Sequence, residues 1–128
     1  MKLLLDTHIW LWMLVSPERL GSLGPVIEDT RNELVLSAAS SWEIAIKFSL
    51  GRLSLPEAPA TYVPDRIQST GVSPIAVEHK HALKVSELPM HHRDPFDRLL
   101  IAQASTLGIA LASADEQFAK YDISVLNP

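Results

Sequence analysis

The sequence predicts an α/β domain, a parallel central sheet with helices on both faces. Three observations lead there. Short apolar segments at Lys2–Leu5, Leu34–Ser37, Ile109–Ala112 and Ile123–Leu126 have strand length; longer segments with helix starts and stops lie between them; and strands separated by helices pair in parallel through crossovers. With 128 residues, 47% of them hydrophobic, the chain suffices for one compact domain with a core of its own, and residues 1–128 are read as a single domain.

The first strand, Lys2–Leu5, ends against an acid, Asp6. A helix follows from Ile9 to Val15. It is apolar on every face before Ser16-Pro17 stops it, so it is either central in the core or partly covered by another chain. Leu20–Gly24 reads as a loop, Pro25–Arg31 as a short helix opened by proline, and Leu34–Ser37 as the second strand. A helix over Ala38–Leu50 stops at Gly51. Prolines 56, 59 and 64 make Ser54–Pro64 loop and short helix, too brief to separate two domains. Another helix is expected over Ala76–Glu87, then a histidine-bearing loop over Pro89–Arg93. The best-marked helix has Asp94 as N-cap, Pro95 at its first position, apolar residues within, and Gly108 as its stop. Ile109–Ala112 is a strand, a helical turn runs from Asp115 to Phe118, and Ile123–Leu126 closes the chain.

Composition narrows the chemistry. Without cysteine there is no disulfide framework, thiolate nucleophile or cysteine-bearing zinc site, which fits a reducing compartment and makes the cytoplasm the expected location. Asp6-Thr7-His8 breaks the run Leu3-Leu4-Leu5 before it reaches signal-peptide length, and no apolar run is long enough to span a membrane. The formal net charge of −4 argues against sequence-blind binding to phosphate backbones. If four acids gather round a cation, however, the remaining surface is formally neutral, so an acidic total is compatible with a nucleic-acid substrate.

Those four acids are Asp6 after the first strand, Glu43 within a helix, Asp97 in the first turn of another helix, and Asp115 after the strand at 109–112. In parallel sheets, functional residues gather at the carboxyl ends of strands and the helix starts beyond them. Like charges brought together raise one another's pKa unless a cation neutralises them, which makes a metal the natural companion. Oxygen ligands suit Mg²⁺ or Mn²⁺. Each acid also has an ordinary reading. Asp6 and Asp115 fit helix N-caps, Asp94 with Asp97 resembles a capping box, and Glu43 with Lys47 is an i, i+4 pair. Capping does not account for Glu43, flanked by Trp42 and Ile44, nor for Asp97 at the head of a nearly unbroken apolar helix.

The segments Leu3-Leu4-Leu5-Asp6-Thr7-His8, Ser40-Ser41-Trp42-Glu43-Ile44-Ala45-Ile46-Lys47, Arg93-Asp94-Pro95-Phe96-Asp97-Arg98-Leu99-Leu100-Ile101-Ala102-Gln103-Ala104 and Ser113-Ala114-Asp115 occur in this order over almost the whole chain. The ordered set resembles the PIN-domain family and, within it, the VapC toxins of toxin–antitoxin modules. The resemblance implies a PIN-like three-layer fold and an acidic quartet of Asp6, Glu43, Asp97 and Asp115 that serves both as metal site and as catalytic site. Thr7 and Ser113 would be supporting hydroxyls, Ser113 standing where the family commonly has threonine. It further implies an Mg²⁺-dependent endoribonuclease, Mn²⁺ being an alternative, that cuts structured RNA such as tRNA or ribosomal RNA and so stops translation. Attack by water would leave a 5′-phosphate and a free 3′-hydroxyl. By the same resemblance the chain forms a homodimer and is silenced by a VapB-like antitoxin, whose basic arm reaches the acidic pocket and whose apolar segment covers surface near the first helix.

Other readings compete. His8, His79, His81, His91 and His92 suggest a zinc hydrolase, but their spacing matches no helical zinc motif, and they are read as solvated or substrate-edge residues. A receiver-like signalling domain needs an acid closing a central strand, and Leu50–Tyr62 holds only Glu57. A non-catalytic PIN-fold binding module is disfavoured by acids at all four positions.

Overall fold

The computed structural model describes all of residues 1–128. Five parallel strands form one sheet in the order β3-β2-β1-β4-β5. They are β1 (Lys2–Leu5), β2 (Glu33–Ser37), β3 (Ser73–Ile75), β4 (Ala110–Ala112) and β5 (Val125–Leu126). The helices are α1 (Thr7–Val15), α2 (Leu23–Glu28), α3 (Ala38–Ser49), α4 (Pro59–Thr70), α5 (His79–Lys84) and α6 (Pro95–Leu107).

Alternation along the strands builds the layers, because successive side chains of a strand point to opposite faces. Leu3 and Leu5 of β1, Leu36 of β2 and Ala112 of β4 join Ile9 and Trp10 of α1, Ile44 of α3 and Val63 of α4 in one core. Leu4, Val35 and Leu111, each one residue out of phase, join Leu100, Ile101 and Ala104 of α6 with Phe118 and Tyr121 in the other. β1 is central and both its faces are covered, so Leu3, Leu4 and Leu5 are fully buried. This is the expected three-layer α/β arrangement.

Several boundaries differ from expectation. Residues 59–70 form a full helix where loop and short helix were expected. Pro59 starts it, Gly71 ends it at φ 71°, and Tyr62, Val63 and Ile67 supply an inward stripe that outweighs the backbone bond lost at the exposed Pro64. Ser73–Ile75 is an edge strand that the sequence reading missed, since it has only three residues and carries Pro74, tolerated where no second neighbour needs its N–H. The expected helix 76–87 is therefore shortened to α5 plus a 3-10 turn at Val85–Glu87. α2 begins at Leu23, whose burial anchors it, and ends at Glu28 instead of Arg31.

His81 is buried, against the expectation of solvated histidines. Its Nδ1 accepts from the Glu78 backbone N–H at 3.0 Å, closing a reciprocal cap at the start of α5. The all-apolar α1 has an intermediate outcome: Thr7, Ile9 and Trp10 are buried, Leu11 to Leu14 half-buried, and Val15 is 69% exposed.

Candidate active site

At the carboxyl edge of the sheet, one pocket is lined by Asp6, Glu43, Asp94, Asp97 and Asp115 together with Lys47, His8 and Trp12. Asp6 extends β1 by one residue, its N–H donating to the Ala112 carbonyl at 2.9 Å, and thus stands between the two central strands. Ser113 follows β4 directly. Its hydroxyl donates to Asp6 Oδ2 at 2.8 Å and accepts from the Asp115 N–H at 3.0 Å, tying the two acids to one fully buried side chain. Asp6 Oδ1 is buried with no hydrogen-bond partner. Burial raises the Asp6 pKa, and the neighbouring Glu43 adds to the effect.

Glu43 enters from α3 with both oxygens engaged. The Thr7 hydroxyl donates to Oε1 at 2.7 Å and lies 2.9 Å from Ser40 Oγ, while Lys47 Nζ donates to Oε2 at 2.5 Å. The i, i+4 pair is thus real, and it sits inside the pocket. Burial opposes the charge on Lys47, but the bond to Glu43 and the charges of Glu43, Asp94 and Asp97 outweigh it, so its pKa is raised.

Asp97 reaches the pocket from the first turn of α6. Asp94 is the N-cap of that helix, its Oδ1 accepting from the Phe96 N–H at 2.9 Å and the Asp97 N–H at 3.0 Å. Desolvation, followed by the charges of Asp6, Asp94, Glu43 and Asp115, pushes the Asp97 pKa up to about 8. One group of acids has converged at a place where only a positive partner makes full ionisation favourable.

Two nitrogen groups of the chain face these acids: Lys47, bonded to Glu43, and His92, to which the sequence reading assigned no individual role. Its Nδ1 accepts from the Asp94 N–H at 3.1 Å, so the neutral ring carries its proton on Nε2. Nε2 lies 2.8 Å from Asp115 Oδ2 and 3.0 Å from Asp97 Oδ2. The sequence signal was its place two residues before the Asp94 cap. Arg98, buried beneath, donates to the carbonyls of Val85, Leu88, Pro89 and His92 and so fixes the segment that presents the imidazole. The donor atoms of His92, Asp97 and Asp115 fall within 4.8 Å of one another, a spacing that a metal ion could bridge.

The residues fit a hard cation. Asp6 offers an unpartnered buried oxygen, burial and the neighbouring carboxylates push the Asp97 pKa up to about 8, and no cysteine is present. A fully parallel three-layer sheet with carboxylates at its carboxyl edge defines an α/β domain of the acidic-site class. The chain belongs to the PIN domain family, whose model matches residues 3–124.

It is also similar to Ribonuclease VapC16 of Mycobacterium tuberculosis, with 54% identity over 56 residues, a stretch covering 44% of this chain and 40% of that relative's length. Among solved structures, VapBC2 from Rickettsia felis bound to a promoter DNA fragment matches with a TM-score of 0.72 at 15% identity, over 99% of this chain and 98% of that one. VapBC from Salmonella typhimurium bound to DNA gives 0.70 at 15%, and VapBC-1 from nontypeable Haemophilus influenzae 0.66 at 18%, both again covering 99% of this chain and 98% of the other. At these identities the likeness concerns the fold. No helix is long and apolar enough to cross a membrane.

Proposed function

We propose that this chain is a VapC-like endoribonuclease toxin that requires Mg²⁺, with Mn²⁺ as a substitute, and acts on cellular RNA in the cytoplasm. The observation that carries the reading is the convergence of Asp6, Glu43, Asp97 and Asp115 on one pocket, with Asp6 Oδ1 orphaned and the Asp97 pKa raised to about 8. Asp6, Asp97 and Asp115 would hold the ion directly or through water. When bound, Mg²⁺ supplies charge stabilisation for the phosphodiester and acidifies a water. Ser113 keeps Asp6 and Asp115 in register, and His92, whose Nε2 stands against both Asp97 and Asp115, would have to yield those oxygens to the ion. Glu43, aligned by Thr7, orients the attacking water or takes its proton; Lys47 must first yield Oε2. With water as the nucleophile no 2′,3′-cyclic phosphate forms, and with the P–O3′ bond as the one broken the products are a 5′-phosphate and a 3′-hydroxyl. The substrate class, tRNA or ribosomal RNA, follows from the likeness to VapC ribonucleases.

A VapB-like antitoxin and a homodimer complete the proposal. The similar solved structures are VapBC complexes, and the half-buried run Leu11–Leu14 with exposed Val15 leaves apolar surface on α1 for another chain to cover. The test is cleavage of total RNA by the purified chain with Mg²⁺, followed by sequencing of 5′-phosphate ends. Discrete ends that vanish with EDTA are expected. Undiminished cutting by metal-stripped protein, or products with 2′,3′-cyclic phosphate, would overturn the mechanism.

A further inference from the structure

The carboxylate pocket does not end at the acids. Trp12 and Ala114 line it and also line the adjoining hollow, which continues to Arg19 and Asn127. The Arg19 guanidinium lies over the Trp12 indole, 4.2 Å from the ring centroid, and the exposed His8 ring tilts against the same indole with centroids 6.5 Å apart. Trp12 is half-buried and packs against the core of the first sheet face, so the indole is held in place. Arg19 is exposed and makes no ion pair, even with Glu116 in the lining of the same hollow. None of these residues has a part in the chemistry proposed above.

We propose that Trp12 and Arg19 form a stacking platform for a nucleotide flanking the scissile phosphate. The inference rests on the nuclease reading. With the scissile phosphate at the acids, a nucleotide on one side of it falls in this adjoining hollow, where it meets a guanidinium plane backed by an indole and engaged in no ion pair. That pair offers a base its π-surface and the next phosphate its charge. A base can stack on a protein side chain only when splayed out of a duplex, which is why the platform selects unpaired RNA over paired. The remaining lining of the hollow is small or polar, unlike the apolar trough that an amphipathic protein helix requires.

The probe is a short unpaired oligoribonucleotide with a fluorescent 5′ end, its binding read by anisotropy on Asp97→Asn protein, and its cleavage read separately on otherwise native protein. Trp12→Ala should weaken binding roughly ten- to hundredfold and raise KM more than it lowers kcat, while Trp12→Phe recovers most of the loss. Arg19→Ala should lower the slope of log affinity against log salt by about 0.7. Hybridising the probe to its complement should abolish the effect of both substitutions. If Trp12→Ala misfolds, the salt slope of Arg19→Ala and the retention by Trp12→Phe decide. Should native protein cut RNA while both alanine variants bind and cut it unchanged, the platform is refuted and the nuclease reading stands. Failure of native protein to cut any RNA, with binding still dependent on Trp12, would instead remove the nuclease reading. Loss of protein-partner binding alone, with RNA binding intact, would reassign the surface to a protein and overturn the proposal.

Discussion

Asp97 concentrates the electrostatic tension of the site. Its pKa of about 8 in the folded chain stands far above the ordinary 3.8. Between about pH 4 and pH 8 the metal-free folded chain therefore holds a proton that the unfolded chain releases, so this group's contribution to stability is fully present at low pH and is lost as pH rises through about 8. Burial raises the Asp6 pKa in the same direction. Asp97→Asn abolishes the charge and should melt above the native chain in EDTA, by a margin that widens from pH 5 to pH 8. Saturating Mg²⁺ should close that margin for the native chain alone. Parallel melting curves for the two proteins across that range would contradict the assignment. In activity, Asp6→Asn and Asp97→Asn should each reduce cleavage by at least about a hundredfold, because an amide keeps the shape and loses the charge that holds the cation. Asp94→Asn should lose far less, since its task is to accept the Phe96 and Asp97 N–H groups and an amide oxygen does that too. An inactive Asp94 variant beside an active Asp97 variant would exchange their roles.

The elements carry the site through their ends. Asp6 lies between β1 and α1, Asp97 in the first turn of α6, and Asp115 beyond β4, so each backbone terminus aims a carboxylate at one edge. The segment from Val85 to His92 is different, for it has little regular structure of its own. Arg98 organises it with a buried guanidinium that donates to four of its carbonyls and to Tyr121 Oη at 3.3 Å, and Tyr121 Oη in turn donates to Pro89 O at 2.9 Å. Arg98→Met should destabilise the fold by about 3 kcal/mol, as several carbonyls lose a charged donor at once. Arg98→Lys should recover little, because a single ammonium cannot reach both sides of the fork. Thermal denaturation checks both, and a melting temperature unchanged in either variant would mean that the segment is held by other contacts.

At the scale of the whole molecule, the apolar α1 poses the remaining question. Thr7, Ile9 and Trp10 of its first turn are buried, whereas Leu11 to Leu14 are half-buried and His8 and Val15 are exposed. Light scattering should therefore give twice the chain mass for the purified protein, and a larger, inactive complex when the product of the neighbouring reading frame is added. A monomer that stays active beside that product would remove the partner claim without touching the nuclease reading. Val15→Glu should weaken whichever association covers this end of α1 and leave the monomer's melting temperature nearly unchanged, since the side chain is already 69% exposed.

The sequence by itself determined the α/β class with helices on both faces of a parallel sheet, a buried first strand, the α6 start at Asp94-Pro95 and the placing of Asp6, Asp97 and Asp115 at one edge of the sheet, whereas Glu43 joined them only through the family resemblance. Glu43 apart, these follow from local signals: apolar runs of strand length, a cap with a proline behind it, and acids at strand and helix termini. Only the tertiary structure decided the rest. Pro64 inside α4 and Pro74 inside β3 read locally as breaks, and it is burial of Val63 and pairing of β3 with β2 that override them. His81 and His92 look alike in the sequence, yet one closes a buried cap and the other joins Asp97 to Asp115. The Lys47 bond to Glu43 looked like a surface pair and lies in the pocket. In each case the deciding contact crosses between segments distant in the chain or depends on what burial removes from water, and neither is encoded in the spacing of residues along it.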